Sequence, residues 1–144
     1  MRALVSGGTG YIGQHVIRLL LERGHTISAV VRKRSVDKLP IGASAVVGDA
    51  LDEVSFAGGV ESGDTFVHLV GVSHPAPWKE SEFRAVDLAS VKASATAASE
   101  RGVSNFVYVR VVQPAPVMQA YLRVRAECEN IIGDAGFKAT FLRP

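Results

Sequence analysis

Cysteine is nearly missing from this chain. Cys128 is the only one in 144 residues, so no internal disulfide can form and paired-cysteine metal sites are excluded. Long apolar runs are missing too, and nothing approaches the roughly 20 residues a membrane-crossing helix needs. No sign of charge dominates: a formal +2 is too small to argue for nucleic acid, and the basic residues cluster only at Arg32, Lys33 and Arg34. No repeat or low-complexity linker is present. Met1 runs straight into an apolar segment, leaving no room for a signal peptide, so a cytoplasmic location is expected. What remains, 47% hydrophobic and 21% charged residues, suits one ordinary globular domain.

The most informative stretch is Ser6, Gly7, Gly8, Thr9, Gly10, Tyr11, Ile12 and Gly13. Before it, Ala3, Leu4 and Val5 read as a buried strand; after it, Ile12, Val16, Leu19 and Leu20 have the spacing of one helix face. Strand, glycine turn and helix therefore follow in order. Gly7 suits the sharp turn, Gly10 lets main chain approach a phosphate, and Gly13 lets the helix lie close to the sheet. The free N–H groups of the helix start would face the anion. Thr9, Tyr11 and Ile12 belong to the same expected dinucleotide contact. A purely structural turn is the alternative, but it would weaken a helix start for no gain.

A second strand, Thr26–Val31, ends at the basic cluster. In a dinucleotide fold an acid there selects the free ribose hydroxyl of NAD, and a base accommodates the phosphate of NADP. With Arg32, Lys33 and Arg34 in place and no acid before Asp37, NADP is expected over NAD, with Arg32 the leading contact and Arg34 the second. A solvated basic turn is the plainer alternative. A short third strand, Ser44–Val47, runs into Gly48 and Asp49. Asp49 either accepts from the adenine amino group or, like Asp52, caps the turn that follows.

Residues 64–71 read as a fourth, buried strand interrupted by His68, which is taken as a hydrogen-bonded core group; its end, Leu69, Val70 and Gly71, is expected at the cofactor. His74 and Trp78 fall in a proline-containing loop at the cleft mouth and are candidates for substrate contact or ordinary surface. Residues 80–101 read as a helix, Asn105–Val109 as a fifth strand, residues 117–132 as a second long helix and Lys138–Leu142 as a sixth strand. On that second helix Met118, Tyr121, Arg125, Cys128 and Ile132 share one face. The alternation predicts an α/β fold: a Rossmann-like doubly wound parallel sheet of order 3-2-1-4-5-6 with helices on both faces.

The glycine pattern, Gly48-Asp49, Tyr121 with Arg125 four residues on, and the final Leu142-Arg143-Pro144 resemble the short-chain dehydrogenase/reductase superfamily, in its extended or atypical branch of epimerase/dehydratase-like and NmrA-like proteins. The resemblance implies an NAD(P) cofactor and a small-molecule substrate, with Tyr121 as the proton-transferring catalytic residue. Arg125 stands where relatives carry the lysine that holds the nicotinamide ribose. Arginine keeps the charge that stabilises a tyrosinate but cannot relay a proton. Arg110 occupies the region where relatives carry a serine, and Asp87 the place of a frequent asparagine. Relatives also continue past the sixth strand into a substrate-closing region, so residues 1–144 are expected to form the NAD(P)-binding domain without it. Two functions follow: an oxidoreductase, or a dinucleotide-binding sensor or assembly factor without turnover. An exposed sixth strand would favour a homo-oligomer.

Overall fold

The computed structural model describes residues 1–72, 75–109 and 118–143. Six strands, β1 (Arg2–Ser6), β2 (Thr26–Val31), β3 (Ser44–Val47), β4 (Thr65–His68), β5 (Asn105–Val109) and β6 (Lys138–Leu142), form one sheet in the order 3-2-1-4-5-6. Every neighbouring pair is parallel, as strand–helix–strand alternation requires. The fold expected from the sequence is the fold observed. The order of winding reverses between β1 and β4, which opens the crevice where such sheets take their ligands.

Helix α1 (Tyr11–Glu22) covers one face, burying Ile17 against Ala3, Val5, Ile27 and Ala29. It stops where Gly24 takes a left-handed φ of +81°. The other face carries a one-turn helix, α2 (Glu53–Phe56), then α4 (Ala89–Glu100) and α5 (Gln119–Asp134). On α4 the buried Ser90, Ala93, Ser94, Ala97 and Ala98 are all small, which lets the helix approach a sheet bearing Phe66, Phe106 and Tyr108. Phe106 stacks between Phe66 and Phe137, with centroids at 5.2 and 5.3 Å. Toward β5 and β6 the α1 face holds an apolar groove of about 580 Å³, lined by Val16, Val67, Val107 and Leu142 among others.

Three elements differ from the sequence expectation. The fourth strand ends at His68 rather than residue 71: Leu69 N–H still donates to the Ser6 carbonyl at 2.9 Å, but β1 ends at Ser6, where Gly7 turns away. Residues 80–100 are helical but not uniform. α3 (Glu80–Glu82) passes into a π-helical segment, Phe83–Leu88, before α4 begins. Helix α5 is shifted two residues along, from Gln119 to Asp134, running through Gly133.

Candidate functional site

The glycine turn joins β1 to α1 with a different requirement at each glycine. Gly7 has φ +80°, and a Cβ there would lie 2.7 Å from the Leu69 carbonyl carbon and 2.9 Å from the Val70 nitrogen. A Cβ on Gly13 would lie 2.1 Å from the Gly7 oxygen, so the helix can sit on the turn only if this residue has no side chain. Gly10 is different. Its φ is −72° and its Cβ would meet nothing closer than the Gly7 oxygen at 3.4 Å, so neither conformation nor packing demands glycine. Gly10 also caps α1 without a side-chain bond, and the first turn of α1 contains no acid. The N–H groups of Tyr11, Ile12 and Gly13 lie in that turn, where no intrahelical acceptor exists. A phosphate placed there finds free donors, the positive end of the helix dipole, and the space a side chain at residue 10 would fill.

The adjoining cleft has a volume of about 230 Å³ and is lined by Gly7, Thr9, Arg32, Asp49 and Val70 among the expected residues. Val30, Val31, Ser35, Gly48, Ala50, Leu51 and Val86 also line it. Arg32 follows β2 as the N-cap of a 3-10 turn, Lys33–Lys38, and Ser35 N–H donates to its carbonyl at 2.8 Å. This turn brings Ser35 back beside Arg32, a consequence of local geometry that the strand pattern does not reveal. Asp49 caps the turn that follows it, Oδ1 accepting from Leu51 N–H at 2.9 Å, and the residue also lines the cleft. Asp52 caps α2 by accepting from Val54 N–H.

Several expected contacts lie outside this cleft. Arg34 is exposed on the 3-10 turn away from the lining, and Tyr11 is 83% exposed with its ring edge-on to His15. The Ile12 side chain faces the apolar groove, leaving its N–H as the group that could reach a phosphate. Leu69 lines the same groove, whereas Gly71 lies over the ion pair described below. Trp78 is 81% exposed and does not line the cleft. His74 and Arg110 lie outside the described residues.

Tyr121 and Arg125, one turn apart on α5, are both buried. The Tyr121 ring packs edge-on against Phe83, with centroids 4.9 Å apart. Arg125 points inward: Nε–H donates to the Tyr121 hydroxyl at 3.2 Å, and Nη1 donates to the Tyr108 hydroxyl at 2.7 Å and the Val109 carbonyl at 3.4 Å. Nη2 forms an ion pair with Asp87 Oδ1 at 3.0 Å. Burial opposes the guanidinium charge, but Tyr108, Tyr121 and Asp87 outweigh it and hold Arg125 above its ordinary value. Burial likewise raises the Asp87 carboxyl, against the pull of Arg125 and the N–H of Val72, which donates to Oδ2 at 3.2 Å. Asp87 escapes a reading of local sequence because its partner lies on another helix. The available signal was Arg125 itself, since a charge on an inward helix face requires a buried acid.

His68 is the hydrogen-bonded core group the sequence suggested. Its Nδ1 lies 3.1 Å from Ser6 Oγ and 3.2 Å from Ser94 Oγ, with Nε2 3.4 Å from Ser90 Oγ. Burial, reinforced by the nearby Arg125 charge, lowers its pKa to about 3, so the ring is neutral at ordinary pH.

Known proteins share this fold. The profile of the family described as NAD(P)H-binding matches residues 7–144. A 3-beta-hydroxysteroid dehydrogenase of Mycolicibacterium neoaurum is 31% identical over 120 residues, covering 74% of this chain and 31% of that protein. A photosystem II assembly factor of Synechocystis is 24% identical over 146 residues, covering 99% of this chain and 44% of that protein. Among solved structures, the Bordetella bronchiseptica enzyme WbmH in complex with NAD+ superposes with a TM-score of 0.79 at 18% identity, covering 99% of this chain and 55% of the other. The chain thus spans about a third to a half of the length of these proteins.

Proposed function

Because the chain belongs to the NAD(P)H-binding family and has the fold of the extended and atypical short-chain dehydrogenases, we propose that it binds NADP(H) across the crevice as the cofactor domain of an oxidoreductase. One observation carries this reading: Gly10, which neither backbone angle nor packing requires to be glycine, leaves room at an uncapped helix start beside a cleft containing Arg32 and Asp49. The pyrophosphate lies on the N–H groups of residues 11–13, Arg32 meets the ribose 2′-phosphate with Ser35 beside it, and the free Asp49 oxygen accepts from the adenine amino group. A bound NADPH would supply the hydride to a substrate carbonyl carbon. Tyr121 then gives a proton to the substrate carbonyl oxygen, and Arg125 Nε–H stabilises the resulting tyrosinate. Calorimetric titration with NADPH and NADH tests the cofactor assignment. NADPH is expected to bind more tightly, and absence of binding by both would sink it.

A second reading, a dinucleotide-binding regulatory or assembly protein without turnover, is favoured by the inward commitment of Arg125 and by the 5% exposure of Tyr121. Tyr121→Phe separates the two. Under the first reading it abolishes carbonyl reduction while leaving NADPH binding intact; activity that survives the change excludes Tyr121 as the proton donor.

A further inference from the structure

The Arg125–Asp87 pair lies next to the cleft without lining it, and a short run of backbone joins the two. Gly7, first glycine of the phosphate turn, packs on the main chain of Leu69 and Val70 closely enough that a Cβ on it would lie 2.7–2.9 Å from those atoms. Gly71 follows. A Cβ there would lie 2.7 Å from Arg125 Nη2 and 3.1 Å from Asp87 Oδ1, so the Gly71 backbone lies directly on the ion pair. Val72 comes next, and Asp87 holds its N–H. The π-helical segment carrying Asp87 also carries Val86, a residue of the cleft wall. The pair therefore fixes the backbone leaving β4 and the neighbouring wall.

The two halves of a dinucleotide depend on this region unequally. Arg32 and Asp49 place the adenosine half at the ends of β2 and β3, so the nicotinamide half must cross to the ends of β4 and β5. Gly71, Val72 and Tyr121 lie there. We propose, on the cofactor reading above, that Arg125 and Asp87 are positioning residues for the nicotinamide half: they act through Gly71 and Val72 instead of touching the cofactor. The ion pair needs an arginine fork. A lysine ammonium at this position could not serve Tyr121, Tyr108, Val109 and Asp87 together.

Two probes divide the cofactor. NADPH contains both halves, whereas adenosine 2′,5′-bisphosphate contains only the adenosine half and its 2′-phosphate. Asp87→Asn replaces a carboxylate that accepts from Val72 N–H through Oδ2 and ion-pairs with Arg125 through Oδ1 with a neutral amide that loses the charge of that pair. Arg125→Lys breaks the fork from the other side. Each variant is expected to bind NADPH about tenfold more weakly and adenosine 2′,5′-bisphosphate within about twofold of the unaltered protein, a difference of about 1.4 kcal/mol by conversion of that tenfold ratio. If burial destabilises either variant, Gly71→Ala, which leaves the pair chemically intact but crowds it with a Cβ, provides the same comparison. A purely structural pair would weaken both probes together; that result, or no change in either, overturns the proposal. Failure of the unaltered protein to bind either probe overturns the cofactor assignment itself, and this proposal with it.

Discussion

The two ends of the crevice use polar residues in opposite ways. At the β1–β3 end the helix start is uncapped, Arg32 is exposed and Asp49 lines open space, so the polar groups face outward. At the β4–β5 end Arg125, Asp87, Tyr108 and His68 are buried and bonded to one another or to serines. The first end is arranged for recognition and the second for rigidity. A buried ion pair is costly to break once formed, because removing one partner strands the other charge. Changes at the first end should therefore alter binding with the fold intact, and changes at the second should alter the fold or the geometry of what binds.

The largest expected effect tests whether the glycine turn divides in the same way. Gly13→Ala sets a Cβ against the Gly7 oxygen, and backbone cannot step aside as a side chain can. A loss of about 3 kcal/mol or more in urea denaturation is expected, at the upper end of what core overpacking costs. Next, Arg32→Glu replaces a phosphate partner with a repelling charge. NADPH affinity should fall about 100-fold with NADH little changed, since charge-assisted bonds contribute roughly 1.5–3 kcal/mol. Equal loss for both cofactors would remove the assignment of Arg32 to the 2′-phosphate.

The buried end should respond to acid. His68 has a folded pKa of about 3 against an ordinary 6.5, so between those values the unfolded chain takes up a proton that the fold refuses. Its contribution is complete above pH 6.5 and declines as pH falls, by about 1.4 kcal/mol per unit. Denaturation at pH 6.5 and pH 5 should differ by about 2 kcal/mol. Asp64 and Asp87, raised by burial above the ordinary carboxylate range, act in the opposite sense because the fold holds their protons more tightly. Flat stability between pH 6.5 and 5 would mean that His68 is not held neutral. Smallest is Asp49→Asn, which keeps the acceptor for Leu51 N–H and removes one charged acceptor for adenine, a loss of about threefold in NADPH affinity with denaturation unchanged.

The same contrast explains what the sequence revealed. Sheet order, strand limits at Thr26–Val31, Ser44–Val47, Asn105–Val109 and Lys138–Leu142, and the glycine turn were legible because each depends on local pattern: alternating elements, apolar runs and residues with unusual backbone freedom. At the outward-facing end Arg32 and Asp49 lie on the cleft, as their positions just past β2 and β3 imply. Arg34 and Tyr11 were placed there by proximity in sequence, although a 3-10 turn and a helix point neighbouring side chains in different directions. The buried end was half legible. Helical spacing put Tyr121 and Arg125 on one inward face, but neither the π-helical segment nor the Asp87 partner 38 positions away, from 125 − 87, has a local signature. Ser35 and Val86 escape the sequence pattern because a 3-10 turn and the π-helical segment, whose courses depend on tertiary packing, bring them to the cleft.

Gly10→Ala tests the central claim most directly, through melting temperature measured with and without saturating NADPH. The outward-facing turn predicts that the variant melts within about 2 °C of the unaltered protein when both are free of ligand, and that NADPH raises the melting temperature of the unaltered protein alone. If the variant melts much lower without ligand, or gains the same stability from NADPH, Gly10 is not kept for a phosphate and the turn is not the cofactor site.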